Sequence, residues 1–165
     1  MTMTQLISSK ATSLNQVPAT FKRVAWVSGT INLDIGSGGY TKFAEALANV
    51  GVTNYSYDPY HLTAEENATA ISNTREITNT VTVNNVLNVI AENESRFNVI
   101  AFAHITLSPT GTAYFLIYQG DKSGEGKATT KGWQCNKKAN EYESEISAIF
   151  KNVQRKGNLI IAKKS

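Results

Sequence analysis

Residues 31–39 read Ile31-Asn32-Leu33-Asp34-Ile35-Gly36-Ser37-Gly38-Gly39, and Asp58 follows Gly36 by 22 residues. An apolar run ends in an acid and opens into a glycine turn. A second acid closes the next strand-like stretch, Asn54-Tyr55-Ser56-Tyr57-Asp58-Pro59-Tyr60. Strand, glycine turn, helix, strand, acid is the order in which an α/β sheet builds a site for an adenine nucleoside. Glycines let the backbone approach the ligand, and a carboxylate about 20 residues further on accepts the ribose hydroxyls. Asp34, Gly36, Ser37, Gly38, Gly39, Asp58, Pro59 and Tyr60 are therefore candidate cofactor residues. Plainer readings stand beside this one: a strand-to-helix turn capped by Asp34, and an ordinary Asp58-Pro59 turn. Tyr60 and His61 follow immediately and can border the adenine; for His61 an exposed loop histidine is the leading reading.

Working outward, residues 40–50 set Phe43, Ala46, Leu47 and Val50 on one helical face, and Gly51 is a natural stop. Residues 30–35 and 53–57 read as strands. Thr63 with Glu66 three residues on is a capping-box pattern that opens a helix over 63–73. Residues 74–79 leave room for only a short third strand, and 79–83 read as a β-branched fourth. Residues 93–107 read as a helix, apolar on Phe97, Ile100, Ala101, His104 and Ile105, with His104 a core histidine. Residues 112–118 read as a strand, 119–138 as a long polar loop, and 139–150 as a helix burying Tyr142, Ile146, Ile149 and Phe150. Arg155-Lys156-Gly157-Asn158 between two short runs signals a hairpin. Strands alternating with helices imply a mainly parallel sheet, and the final hairpin adds an antiparallel strand. Residues 1–23 read as an N-terminal arm or cap of a single domain, with 21–27 covering a sheet edge.

The stretch at 31–39 resembles motif I of the class I S-adenosylmethionine-dependent methyltransferases. Leu107-Ser108-Pro109-Thr110-Gly111 is similar to that family's Leu-x-Pro-Gly-Gly turn, and Val81-Thr82-Val83-Asn84-Asn85 stands where its fourth strand delivers motif IV. The pieces run in order across roughly residues 24–163. The overall pattern looks most like small, single-domain methyltransferase-like proteins of bacterial viruses. The resemblance implies a three-layer Rossmann-like fold, S-adenosylmethionine as cofactor, Asp34 at the end of the first strand, and ribose bound by Asp58. Two departures stand out. Tyr40 replaces a third glycine, and motif IV lacks an Asn/Asp-Pro-Pro-aromatic sequence.

An asparagine carbonyl at the end of the fourth strand can accept a hydrogen bond from a substrate amine. Asn84 and Asn85 are thus the candidate catalytic pair, Asn84 also facing the cofactor; the alternative is an Asx turn. In the loop, Trp133 either stacks on a base, with Lys137 and Lys138 on phosphates, or anchors the loop to the core. Cys135 lacks a base, and no Cys/His cluster suits zinc.

Of the 165 residues 41% are apolar and 9% aromatic, the composition of a globular chain. The lone Cys135 permits no internal disulfide. No run suits a membrane helix or a signal peptide, so the expectation is a cytoplasmic protein, in the host cytoplasm if viral. Charge is uneven. Residues 121–165 carry ten Lys/Arg against five Asp/Glu, while residues 1–120 carry six against eight. Such a basic third can track the phosphates of nucleic acid, or simply be a solvated surface. Methyl transfer, with nucleic acid slightly ahead of a small molecule as acceptor, is the favoured activity. Other classes compete: an interaction protein that sequesters or consumes the cofactor, a nicotinamide-binding domain, or a nucleic-acid module without cofactor.

Overall fold

The computed structural model describes residues 5–165; Met1–Thr4 of the expected arm lie outside the described residues. A four-residue helix α1 (Thr20–Arg23) precedes β1 (Ile31–Ile35), α2 (Lys42–Asn49), β2 (Thr53–Tyr57), α3 (Ala64–Thr74) and β3 (Thr78–Asn84). Then come α4 (Asn93–Thr106), β4 (Leu107–Leu116), a hairpin of β5 (Gly126–Thr129) and β6 (Gly132–Cys135), α5 (Glu143–Ser147), β7 (Asn152–Lys156) and β8 (Leu159–Lys163). Six strands form one sheet in the order β2-β1-β3-β4-β8-β7. The first four run parallel; β8 is antiparallel to β4 and to β7. This is the expected mainly parallel sheet with its antiparallel hairpin strand.

β1 and β3 alternate polar and apolar residues, and the alternation builds the layers. Leu33, Ile35, Val81, Val83, Ala113, Phe115, Ile160 and Ala162 join one buried cluster with residues of α4 and α5. Tyr57 meets Phe102 of α4 edge-on at 4.8 Å, and Phe150 meets Phe115 at 6.0 Å. On the opposite face, Phe43, Leu47 and Val52 form a smaller cluster with Phe21 and Trp26. Trp26 lies 6.2 Å from Phe43 and 6.3 Å from Tyr114. The 21–27 segment therefore covers a sheet face, not an edge.

Four expectations give way. No strand forms between α3 and β3: Thr74 caps its own turn, Glu76 takes φ 62, and β3 begins at Thr78. β2 is thus the sheet edge, and its polar Thr-Asn-x-Ser composition suits that place. Helix α4 buries Ser95, Arg96, Val99, Ile100, Phe102, Ala103 and Thr106, while Phe97 (54% exposed) and Ile105 (47%) face outward. The helix is apolar nearly all round, so periodicity alone picks the wrong face. His104 sits half-buried with its ring 5.0 Å from Phe150. Residues 107–111 form the start of β4 as a bulge, since Thr78 pairs with Leu107 but Thr80 with Thr112. Within 119–138, β5 and β6 pair instead of forming a structureless loop.

The capping box is present: the Thr63 hydroxyl accepts from Glu66 N–H at 3.1 Å, and the Glu66 carboxylate accepts from Thr63 N–H at 2.7 Å. Leu33 and Phe115 are fully buried. Truncating either to alanine leaves a cavity, and we expect each variant to lose about 2–5 kcal/mol in urea unfolding, whereas Phe97→Ser changes little.

Candidate functional site

The chain enters the sheet at β1, winds outward to β2, and crosses back over β1 to β3. The carboxyl ends of β1 and β3 therefore flank a topological switch point, where open α/β sheets place ligands. A cleft of about 140 Å³ lies there, lined by Asp34, Gly36, Ser37, Gly38, Asp58, Pro59, Tyr60, Asn84 and Asn85 among others. Gly39 flanks the same turn, packed against the His61 ring. Every candidate residue of the glycine turn, the Asp58 turn and the Asn84-Asn85 pair thus gathers around one opening.

The glycine turn is held by its own amides. Gly36 N–H donates to the Tyr57 carbonyl at 2.8 Å, and Ser37 N–H to the same oxygen at 3.4 Å. Gly38 N–H donates to Asp58 Oδ2 at 2.8 Å. Gly36 and Gly38 have φ of 74° and 73°, a region that favours glycine. A Cβ on Gly36 would lie 2.5 Å from a Val86 methyl, so the turn passes too close to the β3 loop for any side chain. Asp58 Oδ1 accepts from Tyr60 N–H at 2.8 Å and His61 N–H at 3.1 Å, and His61 Nδ1 lies 3.3 Å away. His61 is largely buried beside the turn, correcting the exposed reading. The Asp58 that follows β2 thus clamps the β1 turn as well as its own.

Asp34 is buried at the cleft floor. Its Oδ1 accepts from Thr82 Oγ1 at 2.7 Å and from Asn84 Nδ2 at 3.3 Å. Burial is the largest cause that pushes its carboxyl up to about 7, with the Asp58 charge adding to it and the Thr82 bond opposing it. The Asn84 side-chain carbonyl accepts from Thr20 Oγ1 at 2.5 Å, so one of its lone pairs is already used. Asn85 takes φ 56, which asparagine tolerates, and bonds its N–H to the Leu116 carbonyl at 2.8 Å. Its side chain is left on the cleft wall.

One further residue and one segment support this wall without a sequence signal. Arg96 is buried; its Nη1 donates to the Ile90 and Ala91 carbonyls at 2.9 Å each, and its Nε to both Glu145 oxygens at 3.1 Å. It ties the loop after β3 to α4 and α5. Residues 9–18 contribute Ser9, Thr12, Ser13 and Leu14 to the lining. Only the close pairing of long-range partners reveals either, and neither has a local pattern. Trp133 of the hairpin lies against Gly126 across it. Lys137 Nζ stands 5.2 Å over the Tyr142 ring, and Lys138 caps its own turn through Glu141. None of the three lines the cleft, so the structure does not bring them to the switch point. Among the described residues no group of three metal-ligating side chains forms, and no helix is long and apolar enough to cross a membrane.

No family model and no curated protein sequence matches the chain. Solved structures do match in fold. The Burkholderia thailandensis 1,6-didemethyltoxoflavin-N1-methyltransferase, solved with 1,6-didemethyltoxoflavin and S-adenosylhomocysteine, superposes with TM-score 0.63 at 16% identity, over 84% of this chain and 72% of its own. A Methanosarcina mazei S-adenosylmethionine-dependent methyltransferase matches with TM-score 0.63 at 15% identity, over 92% of this chain and 99% of its own. A Haemonchus contortus phosphoethanolamine N-methyltransferase, solved with phosphomonomethylethanolamine and S-adenosylhomocysteine, matches with TM-score 0.58 at 15% identity, over 87% of this chain and 40% of its own. The fold is the Rossmann-like fold of these methyltransferases.

The raised Asp34 has a consequence for stability. Its folded value, about 7, lies above the ordinary 3.8, so between the two the folded chain binds more protons than the unfolded chain. Stability contributed by the neutral carboxyl is full below about 3.8 and is lost as pH rises through about 7. We expect Asp34→Asn to raise the thermal midpoint at pH 8 and to leave it nearly unchanged at pH 4, read by calorimetry across that range.

Proposed function

We propose that this chain is an S-adenosylmethionine-dependent methyltransferase. The observation that carries the reading is the convergence of Asp34, the 36–39 turn and Asp58 on the switch-point cleft, in a fold whose neighbours are crystallised with S-adenosylhomocysteine. The residues fit that cofactor. The Asp58 carboxylate bonds three backbone amides and retains acceptor capacity on Oδ2 for ribose hydroxyls. Pro59 and Tyr60 border the same side. Asp34 Oδ1 is taken by Thr82 and Asn84, which leaves Oδ2 for a cationic amino group. Such a cation favours the ionised carboxyl, so binding should draw Asp34 below its raised value.

S-adenosylmethionine supplies a methyl carbon on a cationic sulfur, a leaving group that asks little of the protein beyond alignment. The chain's own work is to hold and orient. Asp58 and the glycine turn fix the nucleoside, Asp34 the amino-acid end, and the Asn85 amide is the group left to position an acceptor amine. A second reading, a protein that binds the cofactor without transferring methyl, is favoured by one contact: Thr20 already bonds the Asn84 carbonyl. Incubation with labelled S-adenosylmethionine and candidate acceptors separates the two. For the cofactor itself, calorimetry should find S-adenosylhomocysteine bound and NAD not, with Asp58→Ala weakening the former by about 1–3 kcal/mol. Equal binding of both, or an unchanged affinity in a folded Asp58→Ala, would overturn the assignment.

For the acceptor we infer nucleic acid. The support is a rim of exposed cations, Lys122, Lys127 and Lys131, on and before the β5–β6 hairpin. The hairpin stands beside the cleft through Gln134, whose Oε1 accepts from Asn88 Nδ2 at 3.1 Å. Lys163 and Lys164 lie at the opposite end of the sheet, because β8 runs antiparallel, so the basic third is not one stripe. If the rim meets phosphates, binding of labelled single strands weakens steeply with salt, and a Lys127→Ala/Lys131→Ala variant flattens the slope by about 2. No binding at low salt leaves a small molecule as acceptor. A kinship with small methyltransferase-like proteins of bacterial viruses would place this chemistry in a host cytoplasm.

A further inference from the structure

The chain before α1 lies over the cleft in an unusual manner. From Gln5 to Ala19 no residue is buried. Of its apolar side chains Leu6 is 93% exposed, Leu14 is 55% exposed at the cleft rim, and Val17 (40%) and Ile7 (39%) are partly covered. Ser9, Thr12 and Ser13 are half-buried on the cleft side. With no side chain fully buried, the segment gains little from the hydrophobic effect beside the core, and polar contacts help to hold it. Leu6 N–H donates to Glu92 Oε1 at 2.8 Å. Lys42 Nζ donates to the Asn15 carbonyl at 3.3 Å. The Ser8 carbonyl rests against Gly132, where a Cβ would come within 2.7 Å of it. Gly39 N–H donates to the Ser13 hydroxyl at 3.3 Å, and that hydroxyl also sits where a Cβ on Gly38 would be.

The partners of the four turn amides differ in kind. Those of Gly36, Ser37 and Gly38 are the Tyr57 carbonyl and the Asp58 carboxylate, both fixed at the end of β2. The partner of Gly39 is on the segment that no buried side chain anchors. Neutral hydrogen bonds of this sort contribute little net, because water or a ligand replaces them nearly one for one. Segments tied in this way open at low free energy while the core stays closed. The cleft of about 140 Å³ beneath is also small beside the roughly 300–1,000 Å³ of pockets that enclose a drug-sized ligand.

We propose that residues 8–18 are a gate over the cleft, latched by the Ser13 hydroxyl on the Gly39 amide, and that the cofactor enters and leaves only when this latch opens. The gate rests on the cofactor reading above. Its polar inner side then closes over a polar ligand, and opening uncovers part of Leu14 and Val17 but unseats no fully buried side chain. Ser13 is a positioning residue: it acts on the ligand through the turn.

Exchange rates test the gate. For S-adenosylhomocysteine, Ser13→Ala should raise the association and dissociation rates together, each by about 2–10-fold, with a smaller change in Kd. A purely structural role would move Kd or stability and not the two rates in parallel. Hydrogen exchange supplies the readout without ligand. In the free protein Ser13→Ala should speed exchange at the Gly39 amide and leave the Gly38 amide, bonded to Asp58, as it was. With S-adenosylhomocysteine bound to the unsubstituted chain, amides of residues 8–16 should slow. Unchanged rates in a folded Ser13→Ala, or Gly39 exchange indifferent to the substitution, would overturn the gate. If the unsubstituted chain binds no S-adenosylhomocysteine while Gly39 responds to Ser13→Ala, the latch stands and the cofactor reading falls.

Discussion

A ladder of side-chain hydrogen bonds crosses the sheet and ends on Asp34. Asn32 Nδ2 donates to Asn54 Oδ1 at 2.9 Å and to Thr82 Oγ1 at 3.1 Å, and Thr80 Oγ1 donates to Asn32 Oδ1 at 2.7 Å. Thr82 Oγ1 then donates to Asp34 Oδ1, and Asn84, held by Thr20, donates to the same oxygen. Asn32, Thr82 and Asp34 are all buried. Buried polar groups are costly unless every member has its partner, and a satisfied set specifies one arrangement of the strands that carry it. Here it sets the register among β1, β2 and β3, because a slip of one residue would send Asn32 and Asp34 into the apolar face and Leu33 out of it. That register in turn brings the glycine turn, Asp58 and Asn84 to the same level. Asp34 and Asn84, at one end of the ladder, both line the cleft, and the raised pKa of Asp34 records the cost of keeping a carboxyl there.

The same ladder explains why strands in a parallel sheet alternate polar and apolar where buried parallel strands usually run continuously apolar. The face toward α3, α4 and α5 is a full core. Among the described residues the apolar cover of the other face comes from the eight residues of α2, the short α1, Val52 and Trp26. Too little apolar surface is on hand to bury that face dry, so hydrogen bonds among Asn32, Asn54, Thr80 and Thr82 do the work that packing does opposite. The site therefore sits on the side of the sheet that is already polar.

What the sequence disclosed follows from this division. The glycine turn, the acid after β2, the capping box at Thr63 and the final hairpin are local signals, each written within a few residues, and the structure has each of them. Periodicity misplaces the outer face of α4 because Phe97 and Ile105 are as apolar as Val99 and Phe102; the sheet beneath decides which side is covered. The β5–β6 hairpin was hidden because its strand residues are polar and exposed, and its register shows only in the pairing of Gly126 with Cys135 and Ala128 with Trp133. The burial of His61 and the roles of Arg96, Thr20 and Ser13 escape the sequence for one reason. Each acts through a partner at least three residues away in a different turn or element, and in the cases of Thr20 and Arg96 the partner is 64 and 49 residues distant.

The site so built is nearly saturated by its own chain. Asp58 spends three acceptor positions on the amides of Gly38, Tyr60 and His61, and the turn amides all have protein partners. A ligand therefore does not fall into a set of open bonds; it must exchange with bonds already made, and it gains only where its own groups fit better or where the displaced partner was held cheaply. The bonds to Asp58 are made by a buried carboxylate and are charge-assisted, so they persist and keep the turn in one shape. The bond to Ser13 is neutral and made by an unburied segment, so it is the one that yields. Under the proposed gate, rigid partners preserve the geometry and a weak partner admits the ligand, so the site holds its shape and still opens.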